Sequence, residues 1–186
     1  LNETKKLMTD ESIMEAVKNG DLQQASVLFE RHHKRIFNFL ARMTMDRDVA
    51  EDLTQNVFLR LIRYRTSYKE DLKFTTWIYK MARNVFSDHY QQQKSKMKSA
   101  VDIDKLNVEI EDLLEGQEQE EREKVLIRSL AMLDDDNREL LVLTRFQHMK
   151  YEEVALVYDT TVANIKVKVH RAIQKLREHY FQLEKI

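Results

Sequence analysis

The sequence predicts an all-α protein: two small helical domains joined by a linker, the C-terminal one a helix-turn-helix. Three observations carry that prediction. First, the 186 residues include no proline and only two glycines, Gly20 and Gly116, and hairpins and tight turns usually need those residues. Second, apolar residues recur at spacings of three and four along most of the chain, the period of an amphipathic helix. Third, charge is laid out in blocks. The net formal charge is −2 over residues 1–59, +7 over 60–98, −7 over 99–124, −3 over 125–160 and +4 over 161–186. Two basic blocks flank an acidic one, and such asymmetry points to a polyanionic partner more than the overall charge of −1 does.

Composition excludes several classes. Hydrophobic residues make up 42% and charged residues 34%, enough apolar side chains for a core and enough charge for a solvated surface. The absence of cysteine removes disulfides and thiolate metal sites and fits a reducing cytosol. No apolar run approaches the roughly 18 residues of a membrane span. The N-terminal LNETKKLMTDES lacks the apolar stretch of a signal peptide. A cytoplasmic location is expected, without direct membrane insertion.

The elements follow in order. A short helix is expected from Asp10 to Asn19, with Asp10 capping its start and Gly20 in the left-handed position at its end. Asp21 can cap the next helix, whose apolar set is Ala25, Leu28, Phe29, Ile36, Phe37 and Leu40. Val49, Leu53, Val57, Leu61 and Ile62 mark a third. A break near 66–71 precedes a fourth helix over KFTTWIYKMARNVFSDHYQQQK, Lys73 to Lys94. Residues 95–122, with the dense run EGQEQEERE, read as an acidic linker between domains 1–94 and 123–186. Helical patterns then recur over Glu123–Leu133, Asn137–Gln147 and Tyr151–Tyr158, and a longer one starts near Val162.

The fourth helix carries five aromatic residues beside many cations. At 100° per residue, Phe74, Ile78, Met81, Ala82, Val85 and His89 share one arc, a core face with Trp77 at its edge. Tyr79, Phe86 and Tyr90 form a second stripe next to Arg83. Thr76, Lys80, Ser87 and Gln91 form a polar and basic face. Rings beside cations suit single-stranded nucleic acid, whose bases stack while the cations hold the backbone. Packing of the second stripe against a neighbouring helix explains the same rings. Asp88 reads as the partner of a nearby Lys or Arg.

The C-terminal segment has a different pattern. Val154, Ala155 and Val157 mark a short helix, Asp159-Thr160-Thr161 a turn, and Thr161 an N-cap. Val162, Ile165, Val169, Ile173 and Leu176 then form one buried stripe. Asn164, Lys166, Val167, Lys168, His170, Arg171, Lys175 and Arg177 stand opposite. Two helices joined by a three-residue turn, the second long and basic, fit a helix-turn-helix whose second helix enters the major groove. There Lys and Arg can donate to guanine edges or phosphates, and Val167 can meet a thymine methyl. An ordinary amphipathic helix with a solvated basic face would give the same stripe.

Together these segments resemble one family. AEDLTQNVFLRLIRY, Ala50 to Tyr64, is similar to the second conserved region of bacterial sigma factors, typically D-A-E-D-L-x-Q-E-x-F. The region that follows in the family carries a Trp-Leu-Tyr run, then Ala-Arg-Asn, then an Asp four residues on. Here these are Trp77-Ile78-Tyr79, Ala82-Arg83-Asn84 and Asp88. LDDDNRELLVL, Leu133 to Leu143, followed by YEEVA and VKVHRAIQKLRE, resembles the fourth region. Two domains with no third between them is the layout of the extracytoplasmic-function (ECF, group IV) sigma factors. The chain departs from the family at Asp159, where members usually carry Gly, and at Ala163-Asn164-Ile165-Lys166-Val167-Lys168, where they carry a Gly-Thr-Val-Lys-Ser-Arg run. Asn56 stands where Glu is usual.

The resemblance implies a transcription initiation factor and not an enzyme. Its partners would be core RNA polymerase and promoter DNA, both duplex and melted, with no cofactor and no small-molecule substrate. It implies polymerase contacts at Asp52, Gln55, Asn56, Leu59 and Arg60. It implies minus-ten contacts at Tyr68, Lys69, Lys73, Thr76, Trp77, Lys80, Arg83 and Asn84, with a flipped base held by the loop before Phe74. It implies minus-thirty-five contacts at Thr161, Asn164, Lys166, Val167, Lys168, His170 and Arg171. Members often have an anti-sigma factor, for which nothing in this sequence marks a surface. Two other readings stand beside this one. A helix-turn-helix regulator would bind duplex DNA without polymerase. A helical metal enzyme would need ligands around His32, His33 and His89, but no H-E-x-x-H or comparable spacing is present.

Overall fold

The computed structural model describes residues 8–96 and 121–184, and among these every regular element is helical. The N-terminal half consists of α1 (Asp10–Lys18), α2 (Ala25–Thr44), α3 (Arg47–Arg63) and α4 (Phe74–Lys96). Single 3₁₀ turns precede α2 at Leu22–Gln24 and follow α3 at Arg65–Ser67. The C-terminal half consists of α5 (Glu121–Ala131), α6 (Asp135–Leu141), α7 (Tyr151–Val157) and α8 (Val162–Leu183). Most of the predicted linker lies outside the described residues.

Local chemistry sets the helix ends. Thr9, not Asp10, caps α1: its Oγ1 accepts from the Ser12 N–H at 3.2 Å. Asp10 instead bonds Arg31 and His32 on α2, each at 2.7 Å. Gly20 closes the turn after α1 with φ 109°, a conformation strained for any side chain. Asp21 starts the 3₁₀ turn before α2 but makes no side-chain cap there. The start of α4 is capped from a distance, by Glu11 of α1 accepting from the Phe74 N–H at 3.0 Å. That bond fixes the fourth helix on the first.

The N-terminal core forms where the apolar stripes meet. Met14, Leu28, Ile36, Leu40, Val57, Leu61, Phe74 and Ile78 are all at most 1% exposed. In the C-terminal half Leu130, Leu141, Leu143, Val154, Ile165 and Ala172 do the same work. The predicted helix over 137–147 changes pitch partway. α6 passes into a π turn at Val142–Phe146, and His148 leaves it with φ 56°. Such turns re-aim side chains, and here Gln147 points to the N-terminal half, accepting from the Tyr79 hydroxyl at 2.9 Å.

Asp134 caps α6, accepting from the Asn137 N–H at 3.0 Å, and pairs with Lys175 of α8 at 3.0 Å. Partial burial opposes ionisation of Asp134, but the Asn137 bonds and Lys175 outweigh it and hold the carboxyl down at about 2, against an ordinary 3.8. A depressed carboxylate stabilises above its ordinary pKa, and that contribution fades as pH falls from about 4 toward 2. Asp134→Ala is expected to cost about 1 kcal/mol at neutral pH, a typical N-cap loss. The deficit should narrow at about pH 3; urea unfolding at both pH values checks this, and a pH-independent deficit would count against the cap.

Candidate nucleic-acid interface

On α3, Asp52, Gln55, Asn56 and Leu59 share one exposed face, and Leu59 is 68% exposed. Arg60 belongs to the same face but is tied down: it donates to Asn56 at 3.0 Å and pairs with Asp88 of α4 at 2.7 Å. The pair expected for Asp88 therefore exists, at the surface. Sequence reasoning missed the neighbours of this face. Phe29 was expected in the core, yet it is 41% exposed, stacked on His33 and edge-on to Phe58. With Leu22, Gln55, Leu59 and Ile62 it lines an open apolar groove between α2 and α3. An interrupted stripe in α2 was the only signal, and the stripe alone does not say which edge stays uncovered.

The minus-ten candidates divide into three groups. Tyr68, Thr76 and Trp77 are corrections: they are 2%, 0% and 8% exposed and present nothing to a ligand in this arrangement. Tyr68 fills the inside of the loop before α4. Its hydroxyl donates to the Leu72 carbonyl at 2.7 Å and its ring meets Trp77 edge-on at 5.3 Å. Thr76 is covered although the helical wheel puts it on a polar face. Lys69 and Asn84 are exposed, as expected.

Lys73, Lys80 and Arg83 form the third group, and each meets a carboxylate of the C-terminal half. Lys73 pairs with Glu153 at 3.0 Å, Lys80 with Asp159 at 2.6 Å and Arg83 with Glu139 at 2.5 Å. Arg83 also donates to the Val157 carbonyl at 3.3 Å and lies 3.9 Å over the Tyr158 ring. Tyr158 donates its hydroxyl to the other oxygen of Glu139 at 2.7 Å. Burial pushes the Glu139 carboxyl above its usual range, and Arg83 with the Tyr158 hydroxyl offsets only part of that. For Arg83, burial lowers the guanidinium pKa, but the Glu139 charge and hydrogen bond reverse the direction. Of the second aromatic stripe, Tyr79 and Phe86 are buried and Tyr90 is 39% exposed, stacked on Phe86. His89, expected on the core face, is only half-buried.

The helix-turn-helix takes the expected form. Asp159 turns with φ 49°, and Thr161 caps α8 by accepting from the Asn164 N–H at 3.2 Å. Ile165, Val169 and Ala172 are buried, while Val162, Ile173 and Leu176 are half-buried. Thr161, Asn164, Lys166, Val167, Lys168, His170 and Arg171 are all exposed. Among the described residues no ion pair engages Lys166, Lys168 or Arg171. Also among them, no three His, Cys, Asp or Glu side chains are grouped to hold a metal ion, and no helix is long and apolar enough to cross a membrane.

Residues 28–96 match sigma-70 region 2, and residues 123–176 match sigma-70 region 4. The chain belongs to the sigma-70 family. Its relatives agree across both halves. It is 29% identical over 177 residues to the RNA polymerase sigma factor CarQ of Myxococcus xanthus, covering 92% of this chain and 97% of that one. It is 25% identical over 175 residues to the ECF RNA polymerase sigma-E factor of Escherichia coli K12, covering 89% and 91%. Two solved structures share the fold. CnrH, solved with the cytosolic domain of CnrY, has a TM-score of 0.68 at 19% identity over 91% of this chain and 95% of that one. The Bartonella quintana sigma factor RpoE, solved with the anti-sigma factor NepR, has a TM-score of 0.66 at 20% identity over 86% and 96%. The protein is an ECF sigma factor: it binds core RNA polymerase and directs promoter-specific transcription initiation.

Proposed function

We propose that this sigma factor divides its work between domains 1–94 and 123–186, joined by the acidic linker 95–122, and acts in the cytoplasm by binding alone, without catalysis. Asp52, Gln55, Asn56, Leu59 and Arg60 meet the clamp helices of the largest polymerase subunit. Lys69, Lys73, Lys80, Arg83 and Asn84 hold the melted minus-ten strand. Thr161, Asn164, Lys166, Val167, Lys168, His170 and Arg171 read the minus-thirty-five duplex. Tyr68, Thr76 and Trp77 support the minus-ten loop from inside. A regulatory partner of anti-sigma type is proposed on the example of the Bartonella quintana complex.

The observation that carries this reading is the α8 surface. Seven candidate side chains stand exposed on a helix whose buried stripe and N-cap are fixed. Run-off transcription with core polymerase from the source bacterium, on promoter fragments enriched from its genome, tests the activity. Discrete transcripts that need the protein are expected. Sequence-specific duplex binding with no transcript and no co-elution with core would favour the stand-alone regulator. On the same promoters, Lys166→Ala and Lys168→Ala should each lower the salt slope of binding by about one unit and weaken all sequences alike. Gel-shift titrations across salt concentrations measure it; an unchanged slope would remove both lysines from the phosphate contacts.

A further inference from the structure

We propose that Glu11 of α1 is a positioning residue for minus-ten recognition, acting through the start of α4. The proposal rests on the minus-ten roles assigned above to Lys69, Lys73, Lys80, Arg83 and Asn84. These residues stand on α4 or in the loop that runs into it, so the point where α4 begins sets where they are held.

The sequence leaves that beginning without a cap of its own. Lys73 occupies the N-cap position, its carbonyl accepting from the Trp77 N–H at 3.2 Å. A lysine side chain has no acceptor to offer the first turn. By contrast α3, α6 and α8 are capped locally, by Asp46, Asp134 and Thr161. At α4 the acceptor comes from 63 residues away, Glu11 Oε1 taking the Phe74 N–H. The carboxylate also places negative charge at the positive end of a 23-residue helix.

Glu11 is itself firmly held. Its neighbour Asp10 is tied to α2 through Arg31 and His32. Ile13, Met14 and Val17 seat the other side of α1 in the core. The His32 ring lies 4.9 Å from the ring of Phe74, the residue that Glu11 caps. α1 also packs against the 3₁₀ turn Arg65–Ser67, so it touches both ends of the loop over 68–73. Burial, then the charges of Glu11, Glu15 and Asp10, push the Tyr68 hydroxyl up to about 12. It therefore keeps its proton and stays a donor to the Leu72 carbonyl. The loop is braced from inside by Tyr68 and at its exit by Glu11. The second brace comes from outside residues 28–96, the segment that matches region 2.

A brace of this kind acts on geometry. Without the cap the first turn of α4 frays, and Lys69 and Lys73 lose their fixed spacing from Asn84. Attraction of a strand by charge survives such slack, whereas discrimination between strands needs the contacts held in place.

The test uses holoenzyme assembled from the full chain and core polymerase of the source bacterium. The probes are a labelled single-stranded minus-ten segment, taken from promoters found by run-off transcription, and a scrambled strand of equal composition. Glu11→Ala should lower the cognate-to-scrambled affinity ratio about fivefold, the factor that a typical lost N-cap represents. Glu11→Gln keeps an oxygen for the Phe74 N–H and should stay within about twofold. Binding to core, and to a duplex carrying only the minus-thirty-five element, should not change for either variant. Asp46→Ala is the structural control: it removes the α3 cap, which accepts from the Val49 N–H at 3.0 Å, and leaves the loop untouched. An unchanged ratio for Glu11→Ala overturns the proposal. So does an equal loss for Glu11→Gln, which would make the effect one of charge, or an equal loss for Asp46→Ala, which would make it one of stability. If Glu11→Ala prevents folding, Glu11→Asp draws the oxygen back by one methylene and should still cost about threefold; no loss rejects positioning. Lys69→Ala and Asn84→Ala separate the two ways to fail. If neither weakens the cognate strand, the minus-ten assignments fall and this proposal with them. If both do while Glu11→Ala leaves the ratio intact, only this proposal falls.

Discussion

Arg138→Leu is expected to lower the stability of this protein by about 3 kcal/mol, seen as an early urea transition. The side chain sits at 12% exposure and spends its donors on four carbonyls. Nε bonds Leu130 at 3.2 Å, and Nη2 bonds Ala131 and Leu133 at 2.8 Å each. Those three carbonyls lie at and just beyond the end of α5, where the helix runs out of N–H donors of its own. Nη1 donates to Met43 at 2.9 Å, crossing to the last turn of α2 in the other domain. Burial lowers the guanidinium pKa, and the charge of Asp135, 3.6 Å away, offsets part of that. Leucine fills similar space but takes a donor from all four carbonyls, of which Leu130 keeps the Leu133 N–H at 3.2 Å, which is why the loss exceeds that of an ordinary surface arginine. Arg138→Lys should recover only part of it, because one ammonium cannot serve a fork of carbonyls. A loss below about 1 kcal/mol for the leucine variant would show that water replaces the guanidinium.

Arg138 also shows where sequence reasoning stops. It stands in plain view within LDDDNRELLVL, but its partners lie up to 95 residues away, and no periodicity encodes a bond to a remote carbonyl. The same limit explains Thr76 and Tyr79. Their own helix makes them flank and surface, and only the arrival of the second domain explains the Tyr79 bond to Gln147. What was legible is local. Gly20 announced a left-handed position and Asp159 a turn, Thr161 announced a cap, and Ile165 and Val169 announced the buried side of α8, all through one helical turn of sequence. Thr9 took the cap expected of Asp10 because Asp10 had a stronger use, bridging to Arg31 and His32. Tyr68 and Trp77 were expected to meet DNA, and both are buried around the loop before α4. Their rings turn inward because a loop with few apolar residues needs them to hold its shape.

Arg171→Ala is expected to cost about 1–3 kcal/mol on a cognate promoter and to relax selectivity at one minus-thirty-five position. The argument is angular. The buried positions Ile165, Val169 and Ala172 fix one side of α8. At 100° per residue, Val167 lies directly opposite that side and Arg171 about 40° from it, while Lys166 and Lys168 fall on opposite flanks. A helix lying in a major groove turns its outermost stripe to the base edges and its flanks to the two phosphate walls. Arg171 is thus placed to fork onto a guanine, and the two lysines to straddle the groove. Arg171→Lys should keep nonspecific affinity but lose most of the discrimination, since an ammonium cannot make the bidentate contact. Binding would be measured on the cognate minus-thirty-five element and on every single-base variant of it. Equal losses for Arg171→Ala on cognate and scrambled DNA would make Arg171 a third phosphate contact and leave Val167 at the centre of readout.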